Sequence, residues 1–236
     1  MGRAFEYRKA RKMKRWSMMA KVFTRIGREI VIAVKENGAN PETNSRLRMA
    51  IQNSKAANMP KENVERAIQK ATSKDQAAYK ELVYEGYGPH RIAIVVETAT
   101  DNPNRTVANV RSYFTKYNGT LAVTGALDFL FDRKCYFKIS AENTDVDELE
   151  LALIDFGADE VFLDDEGYIM IYGDFGSFGT LQKALETQGK EVINAEFERV
   201  PTTTKTLNED QQEEVNKLLD RLDEDDDVVN VFHNMI

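Results

Sequence analysis

The sequence predicts an α+β fold: an N-terminal helical bundle followed by two α/β domains, one ferredoxin-like and inserted into the other. Three observations predict it. Charge divides near residue 75, with 18 Lys/Arg against 7 Asp/Glu before it (net +11) and 14 against 32 after it (net −18), which together give the whole-chain −7. The apolar period changes near Tyr79 from helical to strand-like. Finally, residues 133–201 read as a closed βαββαβ unit, whereas the stretches on either side do not close.

In the basic part, Val22, Phe23, Ile26, Ile30 and Val34 recur at helical spacing and define one apolar face. Gly38 is a suitable residue to end that helix. A second helix begins about 41–44, turns Leu47, Ala50 and Ile51 inward, and ends before Pro60. Pro60 suits the first turn of a third helix, which carries Val64, Ala67, Ile68 and Ala71 inward. These residues form a domain spanning 1–78.

Residues 82–85 and 92–98 read as strands around Gly86-Tyr87-Gly88-Pro89. Asp101-Asn102-Pro103-Asn104 is a turn and cap cluster. A helix with Val107, Val110 and Phe114 inward follows, then a strand over 126–131. The closed unit runs strand 135–139, helix 146–156, strand 160–163, turn 164–167, strand 168–172, helix 178–188 and strand 193–200. The tail holds one amphipathic helix (Val215, Leu218, Leu219, Leu222) and a strand over 228–232. It is too short to bury its own core, so it completes the unfinished sheet. The middle domain is therefore 79–132 plus 202–236, interrupted by the inserted domain 133–201.

The N-terminal segment carries the functional signal. Arg3, Arg8, Lys9, Arg11, Lys12, Lys14, Arg15, Lys21, Arg25 and Arg28 are ten cations against the single acid Glu6. Such a run repels itself, and a polyanion relieves that repulsion while releasing counterions. Lys21, Arg25 and Arg28 lie at i, i+4 and i+7 on one helix face. Phe5, Tyr7 and Trp16 are candidates for stacking on exposed bases, which suits single-stranded or looped RNA. Arg46, Arg48, Lys55 and Lys61 extend the candidate nucleic-acid-binding set. Charge alone does not choose between DNA and RNA. A lipid surface fits less well, because residues 1–16 lack a broad apolar face.

Other chemistries have little support. His90 and His233 are the only histidines and Cys135 the only cysteine, so no catalytic triad, disulfide or metal cluster is expected. Cys135 reads as a small core residue on a strand. Gly86-x-Gly88 lacks the third glycine and the helix of a dinucleotide loop and reads as a β-connection needing glycine dihedrals. Asn102, Asn104, Arg105 and Thr106 sit at a strand-to-helix turn; they fit ordinary capping or an anion site at the helix N-terminus. Asp223–Asp227 reads as a solvated helix end, with contact to the basic arm as a second reading. No apolar window approaches the roughly 18 residues of a membrane span and no secretory leader is evident, so the expected location is cytoplasmic.

Several blocks resemble the YebC/PmpR family. They are Lys21-Val22-Phe23-Thr24-Arg25-Ile26-Gly27-Arg28-Glu29-Ile30, Asn44-Ser45-Arg46-Leu47-Arg48-Met49-Ala50-Ile51 and Lys55-Ala56-Ala57-Asn58-Met59-Pro60-Lys61-Glu62-Asn63-Val64-Glu65-Arg66-Ala67-Ile68. Further blocks are Tyr84-Glu85-Gly86-Tyr87-Gly88-Pro89, Thr100-Asp101-Asn102-Pro103-Asn104-Arg105-Thr106 and Asp225-Asp226-Asp227-Val228-Val229-Asn230-Val231-Phe232-His233-Asn234. The resemblance implies a three-domain protein without enzymatic activity or cofactor. It implies a DNA-binding transcriptional regulator or, as in the mitochondrial translational activator of cytochrome oxidase, a ribosome-associated factor that helps difficult sequences such as proline runs. Three positions depart from the family pattern. Gly2-Arg3-Ala4-Phe5-Glu6-Tyr7 replaces the usual Gly-His-Ser-Lys-Trp opening, Pro103 stands where a basic residue is usual, and His90-Arg91 replaces glycines.

The expectation is a non-enzymatic, cytoplasmic, monomeric regulator that binds DNA or RNA, with the ribosome as a candidate partner. A rival reading is a protein- or ligand-interaction module centred on the ferredoxin-like domain.

Overall fold

The computed structural model describes residues 19–73 and 78–236, and the chain divides into two compact units, Met1–Gln76 with Arg133–Glu198 and Ala77–Asp132 with Arg199–Ile236. Among the described residues are seven α-helices and two four-stranded sheets.

In the first unit, α1 (Met19–Asn37) packs against α2 (Ser45–Ala56) and α3 (Lys61–Thr72). Its second half, Ile30–Val34, is buried on every side. Gly38 ends α1 with φ +85°, and its N–H bonds the Val34 carbonyl at 2.9 Å. Asn44 joins the two helices. Its Oδ1 caps α2 by accepting from Leu47 N–H at 3.0 Å, while its Nδ2 donates to the Ala33 and Gly38 carbonyls at 2.7 and 2.8 Å. These three hydrogen bonds account for a polar side chain at 1% exposure.

The same unit contains β4 (Phe131–Ser140), α5 (Val146–Ile154), β5 (Ala158–Leu163), β6 (Tyr168–Asp174), α6 (Phe178–Thr187) and β7 (Val192–Pro201). The sheet order is β5-β6-β4-β7, the split βαβ arrangement the sequence predicts. Alternate residues of β4 (Cys135, Phe137, Ile139) meet Leu149 and Leu153 of α5 and Leu181 and Leu185 of α6 in one core. Met49 of α2 joins that core, and Asn53 pairs with the Ala195 backbone through Oδ1 (3.0 Å) and Nδ2 (2.6 Å). Burial pushes the Cys135 thiol up to about 12, consistent with a core residue rather than a nucleophile.

The second unit holds β1 (Lys80–Tyr87), β2 (Ala93–Thr100), α4 (Pro103–Lys116), β3 (Thr120–Leu121), α7 (Glu209–Asp223) and β8 (Val228–His233), with sheet order β3-β1-β2-β8. The C-terminal strand pairs antiparallel with β2, so the tail completes the unfinished sheet as its shortness requires. Val110 and Phe114 of α4 and Val215, Leu218, Leu219 and Leu222 of α7 cover one sheet face, while Leu127, Phe131 and Phe232 pack on the other.

Two expectations are corrected. Residues 126–130 are not a strand: Asp128–Leu130 is a 3₁₀ turn, Phe131 opens β4, and the strand after α4 is the short β3. The buried Glu85 carboxylate accepts from Gly125 N–H (2.8 Å) and Leu127 N–H (2.6 Å), taking donors a strand would have offered to a neighbour. Nor do Gly86 and Gly88 serve through their dihedrals. A Cβ at Gly86 would lie 2.6 Å from the Thr120 carbonyl and 2.7 Å from the Phe114 ring, and one at Gly88 would lie 2.8 Å from Ile94, so both glycines provide space. The positive-φ residues of that connection are His90 (55°) and Arg91 (57°), the positions where the resemblance implies glycine.

Candidate nucleic-acid interface

Lys21, Arg25 and Arg28 lie on α1 one turn apart, all partly buried, and each has interactions within the chain. The helix axis thus fixes three cations in a row at a spacing of about 5–6 Å. Lys55 and Lys61 flank the α2–α3 turn and are exposed. Lys61 approaches Glu65 at 3.4 Å with its side chain 89% accessible, an ion pair too solvated to immobilise it.

Arg46 and Arg48 have different employment. The Arg46 fork grips Glu29 through Nε (2.7 Å) and Nη2 (3.3 Å), while Nη1 reaches Glu36 at 2.9 Å, tying α2 to α1. Arg48 donates from Nη1 to the Pro41 and Glu42 carbonyls, both at 2.8 Å, and from Nη2 to Gln182 at 3.3 Å; its Nε lies 3.3 Å from Glu186. Most donors of both guanidinium groups are therefore engaged by protein oxygens, with which a phosphate would have to compete. For Arg48 no local signal announces this, because Gln182 and Glu186 lie more than a hundred residues away.

The expected contacts from Arg3, Arg8, Lys9, Arg11, Lys12, Lys14 and Arg15, and the stacking residues Phe5, Tyr7 and Trp16, lie outside the described residues.

The candidate anion site at α4 already holds a carboxylate of the chain. Asn102 caps the helix by accepting from Arg105 N–H at 3.2 Å. Here the anion is the chain's own Asp227. Its Oδ2 is met by Arg105 Nη2 (2.7 Å) and Nε (3.2 Å), Thr106 Oγ1 (2.8 Å) and Thr100 Oγ1 (3.1 Å). Asn104 is exposed on the first turn of α4. Burial raises the Asp227 carboxyl, but hydrogen bonds from Arg105 and Thr106 outweigh it and hold the group below the usual aspartate range. Asp225 likewise accepts from Tyr113 Oη (2.9 Å) and Asn109 (3.2 Å). Within the acidic run Asp225 and Asp227 are thus tied into helix-to-strand contacts, while Glu224 and Asp226 are exposed. His90 Nε2 lies 2.8 Å from Glu214, and among the described residues no group of His, Cys, Asp and Glu forms a metal site.

Residues 3–74 match the TACO1/YebC protein N-terminal domain, and residues 79–235 match the TACO1/YebC second and third domain. The chain belongs to the TACO1/YebC family. A curated relative from Flavobacterium psychrophilum, named a probable transcriptional regulatory protein, is 64% identical over 235 residues, spanning 100% of this chain and 99% of its own. A relative of the same name from Porphyromonas gingivalis is 59% identical over 236 residues, covering 100% and 97%. The crystal structure of a conserved hypothetical protein from Aquifex aeolicus superposes with a TM-score of 0.79 at 37% identity, covering 92% of this chain and 90% of that one. These similarities support a regulator in the TACO1/YebC family. Among the described residues no helix is long and apolar enough to cross a membrane.

Proposed function

We propose that this TACO1/YebC protein is a non-enzymatic regulator of gene expression that binds nucleic acid through its basic N-terminal segment. The observation that carries the reading is the charge division: +11 in residues 1–75 against −18 in the remainder. A polyanion is attracted to the first and repelled by the second, so contact concentrates on one part of the chain. Lys21, Arg25 and Arg28 supply phosphate contacts from a helix, residues 3–15 add seven cations, and the exposed Lys55 and Lys61 add two more. Arg46 and Arg48 act by holding α2 in place. The acidic remainder orients the complex or meets protein partners.

DNA is the first reading, because the relatives carry a transcriptional-regulator name. RNA on the ribosome is the second, favoured by aromatic residues interleaved with cations in residues 5–16. Crosslinking in cells, read out beside polysome fractionation, separates them: promoter DNA supports the first and ribosomal RNA the second. Deleting residues 1–18 is expected to weaken binding to duplex DNA and to an RNA stem-loop and to reduce the salt dependence of both. Unchanged affinity and slope would refute the basic segment's role.

A further inference from the structure

We propose that the outer face of α5, together with Phe156 just beyond its end, is a docking surface for a cationic amphipathic segment of a protein partner. α5 is apolar on two sides. Leu149 and Leu153 face the sheet at 4% and 0% exposure. On the opposite side Leu151 is 73%, Ile154 52% and Phe156 43% exposed. A helix on a protein surface ordinarily turns polar residues outward, and clustered large apolar side chains there mark an interaction site. Leu151 and Ile154 are surface neighbours at i, i+3. Phe156 is held in place from behind, since Thr180 Oγ1 donates to its carbonyl at 3.0 Å. The surface borders β5, the outer strand of its sheet among the described residues, where Leu163 is 48% exposed on the same face as buried Val161.

Charge selects the occupant. Residues 145–160 contain Asp145, Asp147, Glu148, Glu150, Asp155, Asp159 and Glu160 and no Lys or Arg. Helix chemistry explains the first three, because Asp145 caps α5 and Asp147 and Glu148 lie in its first turn, where the helix dipole favours anions. It does not explain Asp155, which sits at the C-terminal cap, where an anion opposes the dipole, on a helix with no basic residue in its last turn. A cation brought by a partner relieves that repulsion. The same charge excludes nucleic acid and anionic lipid from this face. It also disfavours a second copy, since a two-fold contact would set acids against acids. A partner helix with apolar residues on Leu151, Ile154 and Phe156 and Lys/Arg toward Glu150 and Asp155 satisfies both features.

The test uses the full chain and a fluorescent synthetic helix of Leu and Lys with its leucines at i, i+3, i+4 spacing, beside a scrambled isomer. The intact protein is expected to bind the amphipathic peptide more tightly than the isomer, and less tightly as salt rises. Leu151→Ser with Ile154→Ser should weaken binding about tenfold or more without moving the thermal midpoint. Glu150→Gln with Asp155→Asn should flatten the salt dependence. Equal binding of both peptides, or unchanged binding by the serine variant, overturns the proposal. So does a dimer in sedimentation that the serine variant abolishes, which assigns the face to a second copy. Binding that appears only after residues 1–18 are deleted overturns it too, by assigning the face to the chain's own N-terminus.

Discussion

Asp227 and Cys135 show how burial changes what an ordinary residue does. Asp227 is the fifth acid of a run, yet it is 3% exposed and one of its oxygens receives Arg105, Thr100 and Thr106. Removing it leaves those donors facing a void, so Asp227→Ala should cost about 2–4 kcal/mol by urea denaturation, while partly exposed Arg105 should cost less when replaced. The pH dependence follows from the depressed carboxyl. The unfolded state then binds more protons than the folded state at low pH. The Asp227 contribution is therefore fully present above the unfolded aspartate value of about 4 and is lost as pH falls through the lower folded value. Asp227→Asn should reduce stability at neutral pH and flatten its decline below about pH 4; parallel wild-type and variant curves would count against the ion pair. Cys135, at 0% exposure with its thiol pushed up to about 12, should react with a thiol reagent only at the rate of unfolding. Rapid labelling of the native protein would contradict its place in the core.

Among the elements, those set by local pattern were legible and those set by distant partners were not. The ferredoxin-like unit could be read because alternation, helical spacing and the Asp164–Gly167 turn lie within one stretch, and its sheet order follows from the split βαβ connection. The completion of the other sheet by β8 was legible because the tail cannot form a core alone. Residues 126–131 misled because an apolar run with Phe129 and Leu130 looks like a strand, while Glu85, the group that shapes the loop, lies forty residues earlier. On the site, the Lys21–Arg25–Arg28 row could be read from spacing, whereas the employment of Arg46 by Glu29 and Glu36 needed α1 and α2 side by side. Asp227 was hidden because nothing in five consecutive acids singles out the buried one. The Glu85 clamp yields a prediction. Glu85→Ala should release the Gly125 and Leu127 amides to faster hydrogen exchange and cost about 2 kcal/mol or more, since a buried acceptor serving two backbone donors is lost. Unchanged exchange at both amides would show that the loop keeps its shape without the carboxylate.

Across the whole molecule, the opposed charges of the basic segment and the acidic remainder make salt the most informative variable. Each phosphate contacted adds about 0.9 to the magnitude of the slope of log affinity against log salt on duplex DNA, and about 0.7 on a single strand. If Lys21, Arg25 and Arg28 all reach phosphates, replacing the three with Gln should lower that slope by about 2.7 on a duplex and about 2 on a single strand. Arg46→Gln should behave differently. Its donors are committed to Glu29 and Glu36, so it should lower the unfolding midpoint while changing the slope by less than one phosphate's worth. Since α1 carries Ile30–Val34 in the bundle core, circular dichroism must first show that the triple variant keeps its helix content. The acidic remainder adds a second expectation. Its net −18 repels the polyanion most at low salt, where screening is weakest and the repulsion reaches farthest, so the slope should shallow at the lowest salt instead of staying linear. A triple variant with the wild-type slope would move the interface off α1 and onto residues 3–15 alone. A slope lowered equally by Arg46→Gln would mean that the bundle opens on binding and releases that guanidinium from its two glutamates.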